Sequence, residues 1–204
     1  MRKVIAAAFV SLDGVMQAPG GPEEDQDGGF RYGGWTFHYW DDVMGKVMDK
    51  SLGEPFDLLL GRRTYDIFAA HWPRVGAGDP IADKFNAVTK YVATSSRAPL
   101  TWQNSIALHD AAAEVANLKK QDGPMLLIQG SSVLIQSLLK SDLIDEFRLM
   151  IFPVLLGGGK RLFGEGTTPT GLKLTASSVS STGVTMNTYV RAGEVTTGSF
   201  ALEQ

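Results

Sequence analysis

The chain has 204 residues and a net charge of −3 at pH 7, which argues against bulk nucleic-acid binding because that function usually needs a basic face. Hydrophobic residues make up 44% of the chain and charged residues 20%, a balance typical of one folded globular domain. There is no cysteine, which excludes disulfides, cysteine-ligated zinc and thiol catalysis. The three histidines, His38, His71 and His109, are scattered without HExxH spacing, so we predict no metal site.

The sequence predicts no membrane span. The longest apolar run of note, residues 149–156, is interrupted by Pro153. The basic start followed by VIAAAFV resembles a secretory signal, but its apolar part is at the short limit and SLDG at 11–14 is typical of a strand exit. We therefore expect residues 3–10 to form a first strand, central in the sheet and apolar on both faces, in a cytoplasmic protein.

A long glycine-rich loop follows at residues 16–39, and loops of this length are typical of functional lids or disordered inserts. Its second half and the residue after it are aromatic: Phe30, Tyr32, Trp35, Phe37, Tyr39 and Trp40. These side chains suit a wall against a planar ligand, and they equally suit a satellite hydrophobic cluster or a dimer contact.

The next informative stretch is a strand that leads directly into a helix. Residues 57–60 predict a short buried strand, Gly61 ends it, and residues 62–70 carry apolar side chains at helical spacing. The unpaired N–H groups and positive dipole of a helix start suit a phosphate, and glycine lets the backbone approach it closely. Arg62 and Arg63 can add charge-assisted contacts and Thr64 a hydroxyl, although a solvated arginine pair is the alternative.

The rest of the chain alternates strands and helices. Further helices are predicted at 41–52, 81–88, 110–120 and 133–139, with a loop at 76–80. Further strands are predicted at 90–93, near Ser105, at 125–128 and at 144–153, and a hairpin at 172–181 and 184–191. This order predicts a three-layer α/β domain with a mostly parallel central sheet and an antiparallel C-terminal hairpin over residues 1–192, followed by a flexible tail at 193–204.

Two later strand exits are chemically similar to the first. Residues 94–97 (TSSR) follow one strand, and residues 129–132 (QGSS) lead from another straight into a helix. Since the carboxyl ends of parallel strands converge on one crevice, three such exits can hold a ligand with several phosphates, although 94–97 also suits an ordinary polar loop. The GxGxxG and GxxxxGK[ST] fingerprints are absent.

Four motifs, in this order and spacing, resemble the dihydrofolate reductase-like superfamily. They are SLDG at 11–14, LGRRTY at 60–65, IQGS at 128–131, and FPVLLGGG at 152–159 with Leu162 and Phe163. The similarity is greatest to the branch that contains the C-terminal reductase domain of the bifunctional riboflavin-biosynthesis deaminase/reductase, and it covers about residues 2–191. The resemblance implies a three-layer dihydrofolate reductase-like fold, NADPH as cofactor and a homodimer.

The resemblance also assigns residues to the cofactor. Those implied at its phosphates are Gly61, Arg62, Arg63, Thr64, Thr94, Ser95, Ser96, Arg97, Gly130, Ser131, Ser132 and Val133. Those implied beside the nicotinamide are Ser11, Asp13 and Gly14. An arginine-rich phosphate site agrees with this, because it favours NADP over NAD.

The implied activity is an NADPH-dependent reductase that passes hydride to a carbon–nitrogen or carbonyl double bond. By resemblance the favoured substrate is a ribosylaminopyrimidine phosphate, as for 5-amino-6-(5-phosphoribosylamino)uracil reductase of riboflavin biosynthesis. The runner-up is reduction of a dihydropterin or dihydrofolate. A non-catalytic NADPH-binding protein stays open, because no residue is unmistakably catalytic.

Residues for the substrate side follow from the same reasoning. Asp13, Asp41 and Asp42 are candidates to relay a proton, although an aspartate at 41 or 42 also suits a helix cap. Trp35 and Trp40 are candidates for a planar pyrimidine or pterin. Further candidates are Lys160 and Arg161, which suit a substrate phosphate or a solvated loop, and the apolar strand 147–152, which suits a dimer contact.

Overall fold

The computed structural model describes residues 1–76 and 78–201, and it places an eight-stranded sheet at the centre of the protein. The strands are β1 (Val4–Ser11), β2 (Phe56–Gly61), β3 (Lys90–Ala93), β4 (Ser105–Leu108), β5 (Met125–Gln129), β6 (Glu146–Phe152), β7 (Leu172–Val179) and β8 (Thr185–Arg191). The helices are α1 (Asp42–Gly53), α2 (Arg62–His71), α3 (Pro80–Ala87), α4 (Ala111–Lys120) and α5 (Ser132–Lys140). The strand order is β4-β3-β2-β5-β1-β6-β8-β7.

The sheet is mostly parallel and ends in an antiparallel hairpin, which confirms the predicted fold class. β1 pairs in parallel with β5 and β6, and β2 does so with β3 and β5. The antiparallel pairs are β6 with β8 and β7 with β8. Parallel neighbours need long connections, which most often contain a helix, and the alternation of strands and helices in the sequence supplies most of them. β3 and β4 also pair in parallel, but residues 94–104 connect them without a helix.

Alternating side chains of β1 divide the core between the two faces of the sheet. Val4 and Ala6 pack in one cluster with residues of α4 and α5, such as Val115 and Leu138. Ile5 lies in a second cluster with residues of α1, α2 and α3. Because successive strand side chains point to opposite faces, a central strand covered on both faces must be apolar throughout, as this one is.

The prediction that residues 147–152 supply a surface to a partner is wrong. β6 lies between β1 and β8, so its apolar side chains are used inside the protomer, and Phe147 and Phe152 are completely or almost completely buried. β7 is instead the edge strand, and all eight of its residues are exposed. A homodimer stays a prediction.

The long loop contains two short 3-10 helices, at Asp27–Gly29 and Phe37–Tyr39. Phe30 packs with Val15 and Ala18 in a small separate cluster, and Trp35 lies against Phe152 with ring centroids 5.2 Å apart. Phe30, Trp35 and Tyr39 therefore take the alternative role considered from the sequence, that of hydrophobic clusters. Tyr32 and Phe37 are exposed.

The C-terminal segment 192–201 contains no helix or strand and is exposed, while residues 202–204 of the predicted tail lie outside the described residues. Ala77, in the predicted loop 76–80, also lies outside them. Within residues 1–76 and 78–201, no helix combines the length and the apolar character needed to cross a bilayer.

Candidate cofactor and substrate cleft

A cleft of about 1520 Å³ opens where several parallel strands end. Its lining includes the ends of β2, β3 and β5 at Gly61, Ala93 and Gln129, together with residues 20–25 of the long loop. Ligand sites of open α/β sheets lie at such carboxyl ends, and this volume exceeds the roughly 300–1,000 Å³ of an ordinary ligand pocket. The cleft therefore has room for a dinucleotide and a second molecule.

Two of the three predicted strand exits meet in this cleft. The backbone N–H of Gly61 donates to Ser131 Oγ at 3.0 Å, and Ser131 Oγ donates to the carbonyl of Gln129 at 3.2 Å. Gly130 has a φ of +61°, and a Cβ at that position would lie 3.4 Å from Thr64 Cγ2. The left-handed backbone at this position favours glycine, and the serine hydroxyl fastens the two exits together.

The helices that begin in the cleft differ from the others at their first turn. α1, α3 and α4 each begin after an aspartate, Asp41, Asp79 or Asp110, whose carboxylate accepts a hydrogen bond from a backbone N–H of the first turn. α2 and α5 begin after Gly61 and Ser131, and within the described residues neither has a side-chain cap. Their first N–H groups and positive dipole ends are left for an anionic ligand.

The third exit lies beside Arg62. The Arg62 Nε donates to the Asp66 carboxylate at 2.9 Å, and its Nη1 donates to the carbonyl of Ala98 at 3.4 Å. Ser95, Ser96 and Arg97 are exposed, and the N–H of Ser96 donates to Thr94 Oγ1 at 3.0 Å. An i,i+4 surface pair contributes little to stability, so Arg62 can exchange Asp66 for a phosphate held between itself and this exposed turn.

The neighbouring Arg63 has a different environment, because the long loop pairs with it. Asp25 and Asp27 each accept hydrogen bonds from Arg63, at 3.0 and 2.9 Å, and from Lys160, at 2.6 and 2.9 Å. The hydrogen bond from Lys160 is the main cause that lowers the pKa of Asp27. Burial opposes the charged ammonium of Lys160, but its bonds to Asp25 and Asp27 outweigh this and raise its pKa. The four charges hold the loop across the cleft.

The turn predicted beside the nicotinamide, residues 11–14, is hydrogen-bonded to the loop that follows β6. Ser11 Oγ donates to Asp13 at 2.6 Å, and the Asp13 carboxylate also accepts from the N–H groups of Leu156 and Gly157, at 3.1 and 2.8 Å. The bond from Ser11 is the largest cause that lowers the pKa of Asp13, so this carboxylate stays ionised at neutral pH. Arg161 donates to the carbonyl of Asp13. These contacts favour a structural role for Asp13, and its part in proton relay stays a prediction.

The other two predicted relay residues lie at the start of α1. Asp41 accepts from the N–H of Met44 at 2.9 Å and from the N–H and hydroxyl of Ser181 at 2.7 and 2.8 Å. The bond from Met44 is the largest cause that lowers the pKa of Asp41. Asp42 is exposed, and neither aspartate lines the cleft. The geometry favours the helix-cap alternative for Asp41.

Of the four predicted substrate residues, two line the cleft and two do not. Trp40 and Lys160 line the cleft, whereas Trp35 and Arg161 do not. The Trp35 indole N–H donates to the carbonyl of Gln17 at 2.8 Å, which fixes this ring inside the loop. Of the four, Trp40 alone presents an aromatic surface to the cleft.

The structure also brings residues to the cleft that sequence reasoning missed. Glu24 lines it, accepts from the N–H of Gly20 at 2.6 Å, and has a pKa raised by burial. The only signal was its place in the acidic run EEDQD at 23–27, which resembles any solvated loop.

A second group is apolar, and we call it the aromatic end of the cleft; the sequence predicted Trp40 among its residues and missed the other four. It consists of Trp40, Met48, Phe68, Trp72 and Phe85. The rings of Phe68 and Phe85 are stacked with centroids 5.9 Å apart, and Trp72 lies edge-on to Phe85 at 5.0 Å. In the sequence the four missed residues have the spacing of ordinary helix faces. The wall that the group forms comes from three separate helices and their flanking residues, so no single stretch of sequence indicates it.

The chain is similar to known proteins both in sequence and in fold. The sequence profile described as the RibD C-terminal domain matches residues 2–186. Two relatives from Bacillus subtilis (strain 168) are called uncharacterized proteins. YwjB is 31% identical over 94% of this chain and 99% of its own, and YyaP is 27% identical over 92% and 94%.

Two solved structures share the fold. A pyrimidine reductase-like protein from Corynebacterium diphtheriae has a TM-score of 0.61 and 13% identity, covering 95% of this chain and 93% of its own. Dihydrofolate reductase from Enterococcus faecalis, complexed with NADP(H) and RAB-propyl, has a TM-score of 0.58 and 16% identity, covering 93% and 96%. At these identities the likeness concerns the fold, and it confirms the predicted dihydrofolate reductase-like architecture.

Proposed function

The chain belongs to the RibD C-terminal domain family, and we propose that it is a reductase that uses NADPH. The observation that carries the proposal is the meeting of two helix starts, α2 and α5, in one cleft, neither of which has a side-chain cap from residues 1–76 or 78–201. Such starts bind phosphates through their N–H groups and dipoles. A structurally similar reductase forms a complex with NADP(H), which supports the choice of cofactor.

The proposal gives each part of the polar end a task. The starts of α2 and α5, with Thr64 and Ser132, would hold the pyrophosphate of the cofactor. Arg62 and the turn at 94–97 would hold the adenosine 2′-phosphate, because Arg62 already contacts the carbonyl of Ala98, the residue directly after this turn. Ser11, the last residue of β1, and Gly14, in the turn after it, remain the residues proposed beside the nicotinamide, although neither lines the cleft as it stands.

NADPH would supply the hydride, and the protein would orient the cofactor and a substrate with a carbon–nitrogen or carbonyl double bond. The family makes a ribosylaminopyrimidine phosphate the first substrate to test, and a dihydropterin or dihydrofolate the second. Asp13, Asp41 and Asp42 stay proposed relay residues, with Glu24 as a further carboxyl group that lines the cleft. The proposed reaction takes place in the cytoplasm.

A cofactor titration tests this proposal with a matched control. Arg62 and Arg191 are both partly exposed arginines in an ion pair, with Asp66 and Asp142 respectively, but only Arg62 lines the cleft. We expect Arg62→Ala to weaken NADPH binding about tenfold, the loss of roughly one charge-assisted contact, and to change NADH binding little. Arg191→Ala should leave both affinities unchanged.

Equal NADPH affinities for the wild type and Arg62→Ala would remove Arg62 from the site. Failure of the wild type to bind NADPH at millimolar concentration would overturn the proposal itself. Oxidation of NADPH with a panel of pyrimidine and pterin substrates then separates the reductase from a non-catalytic NADPH-binding protein, which would bind the cofactor without turning it over.

A further inference from the structure

The aromatic end of the cleft carries information about the substrate, provided that the chain is the reductase proposed above. Four of its residues are exposed or partly exposed and offer indole, phenyl and thioether surface from α1, α2 and the segments beside them. The fifth, Phe85 of α3, is buried and supports the rings of Phe68 and Trp72. Trp40 stands at its exposed side, with 39% of its surface accessible. Such surfaces bind flat apolar groups, since an aromatic ring buries a large area and stacks on other rings.

The charges that line the cleft do not suit a second phosphate. Each arginine or lysine of the lining is already paired with a carboxylate: Arg62 with Asp66, and both Arg63 and Lys160 with Asp25 and Asp27. Glu23 and Glu24 add two further acidic groups to the same wall. With Arg62 assigned to the cofactor, a substrate phosphate would have to displace Asp25 or Asp27 from Arg63 or Lys160, and it would meet like charge as it did so.

The helix directions point the same way. α2 has ten residues, so its C-terminal end lies about 15 Å from the proposed phosphate site at its start. That C-terminal end, beside Phe68 and Trp72, carries the negative pole of the helix dipole. The start of α3, near the same wall, is already capped by Asp79. The helix dipole and the free N–H groups favour anions at the polar end of the cleft. At the aromatic end the dipole of α2 has the opposite sign, and the first N–H groups of α3 are already bonded to Asp79.

We infer that the substrate of this reductase is a neutral, unphosphorylated planar ring that binds in the aromatic end of the cleft. The substrate class therefore differs from the ribosylaminopyrimidine phosphate suggested by the family. Lys160 serves to hold the long loop through Asp25 and Asp27 and does not bind a substrate phosphate.

Riboflavin and riboflavin 5′-phosphate form a matched pair of probes, because they share a planar ring system and differ only by the phosphate. Their binding can be measured by equilibrium dialysis and flavin absorbance, with the protein saturated with NADP⁺ so that the polar end is filled and no hydride is available. Trp40→Ala tests the wall, and Phe37→Ala is its control, because Phe37 is exposed but does not line the cleft.

We expect riboflavin to bind about tenfold or more tightly than its phosphate. Trp40→Ala should weaken riboflavin binding severalfold, while Phe37→Ala should not change it. Binding of riboflavin 5′-phosphate as tight as, or tighter than, that of riboflavin would overturn the inference. If the phosphate bound more tightly and Lys160→Met removed that preference, Lys160 would be a phosphate-binding residue. So would the absence of measurable binding of either flavin, or binding of riboflavin that Trp40→Ala leaves intact.

The same samples separate this inference from the proposed function. NADP⁺ affinity is measured alongside, and a protein that binds no NADP⁺ fails as an NADPH-dependent reductase whatever the flavins do. The flavin preference can then be measured without nucleotide, and only the binding that Trp40→Ala removes is assigned to the aromatic end.

Discussion

The two ends of the cleft differ in almost every property, although a single helix connects them. At the polar end, α2 and α5 begin after Gly61 and Ser131 without side-chain caps, and the backbone is left to bind anions. At the aromatic end, α2 ends and α3 begins with an aspartate cap. The cleft is lined there mainly by aromatic side chains. One helix can thus supply a phosphate site at its start and an apolar site at its finish, because its dipole and side chains differ between the two.

The helices that begin away from the polar end differ from α2 and α5 at their first turns. α1, α3 and α4 have aspartate caps, which satisfy their first N–H groups and neutralise the dipole end. A cap at the start of α2 or α5 would compete with any phosphate for the same N–H groups. The absence of caps at these two starts is therefore what a binding site needs, at some expense of helix stability.

The largest predicted effect comes from filling the polar end. Gly130→Val places a side chain against Thr64 at a residue with φ of +61°, so it should both strain the backbone and push the two helix starts apart. We expect NADPH affinity to fall about a hundredfold, and the free energy of unfolding to fall by about 1–2 kcal/mol. Calorimetric titration and chemical denaturation measure the two quantities.

Gly166→Val is the matched control for that prediction. Gly166 also has a positive φ, +74°, but an added Cβ would meet nothing within 4 Å. This variant should lose similar stability and keep its NADPH affinity. If both variants lost affinity to the same extent, backbone strain alone would explain the effect and the polar end would not be the cofactor site.

A second pair of variants separates the two kinds of helix start. Asp110→Ala removes the cap of α4 and should lower the free energy of unfolding by about 1 kcal/mol while NADPH affinity stays unchanged. Ser131→Ala removes the hydroxyl that joins the two strand exits, so the starts of α2 and α5 should be held less firmly and NADPH binding should weaken about fivefold. A reversed outcome, in which Asp110→Ala weakens binding and Ser131→Ala does not, would contradict the distinction between capped and uncapped starts.

The smallest effect concerns Glu24, the carboxyl group with a raised pKa in the wall of the cleft. Because burial raises its pKa in the folded protein, the folded state loses stability relative to the unfolded state as pH rises from the unfolded pKa through the folded one. Glu24→Gln should therefore raise the melting temperature at about pH 7 and leave it nearly unchanged at about pH 4, where the carboxyl group is largely protonated in both states. A gain of the same size at both pH values would show that burial of the charge is not its cause.

The sequence was sufficient for the architecture because the signals that define it are local. An apolar run marks β1 as central, and glycine followed by a helical pattern marks the exits at Gly61 and Gly130. Parallel pairing then brings the ends of β2 and β5 together without further information, since neighbouring parallel strands end at the same edge.

The remaining features depend on contacts between distant parts of the chain. Arg63 pairs with Asp25 and Asp27, which precede it by more than thirty residues, and Asp41 contacts Ser181, 140 residues later in the chain. No local pattern distinguishes these charges from solvated ones. The burial of β6 likewise follows from its position beside the hairpin, which the apolar sequence of the strand does not reveal.

The most direct test of the central claim is a titration of the isotope-labelled protein with NADPH, followed by the backbone amide resonances. The account predicts the largest shifts at the first turns of α2 and α5, at Arg62, Arg63, Ser132 and Val133, because their N–H groups would bind the cofactor phosphates. The amides at the capped starts of α1, α3 and α4 should stay in place. Shifts concentrated at the capped starts, or an unchanged first turn of α5 in a protein saturated with NADPH, would contradict the account.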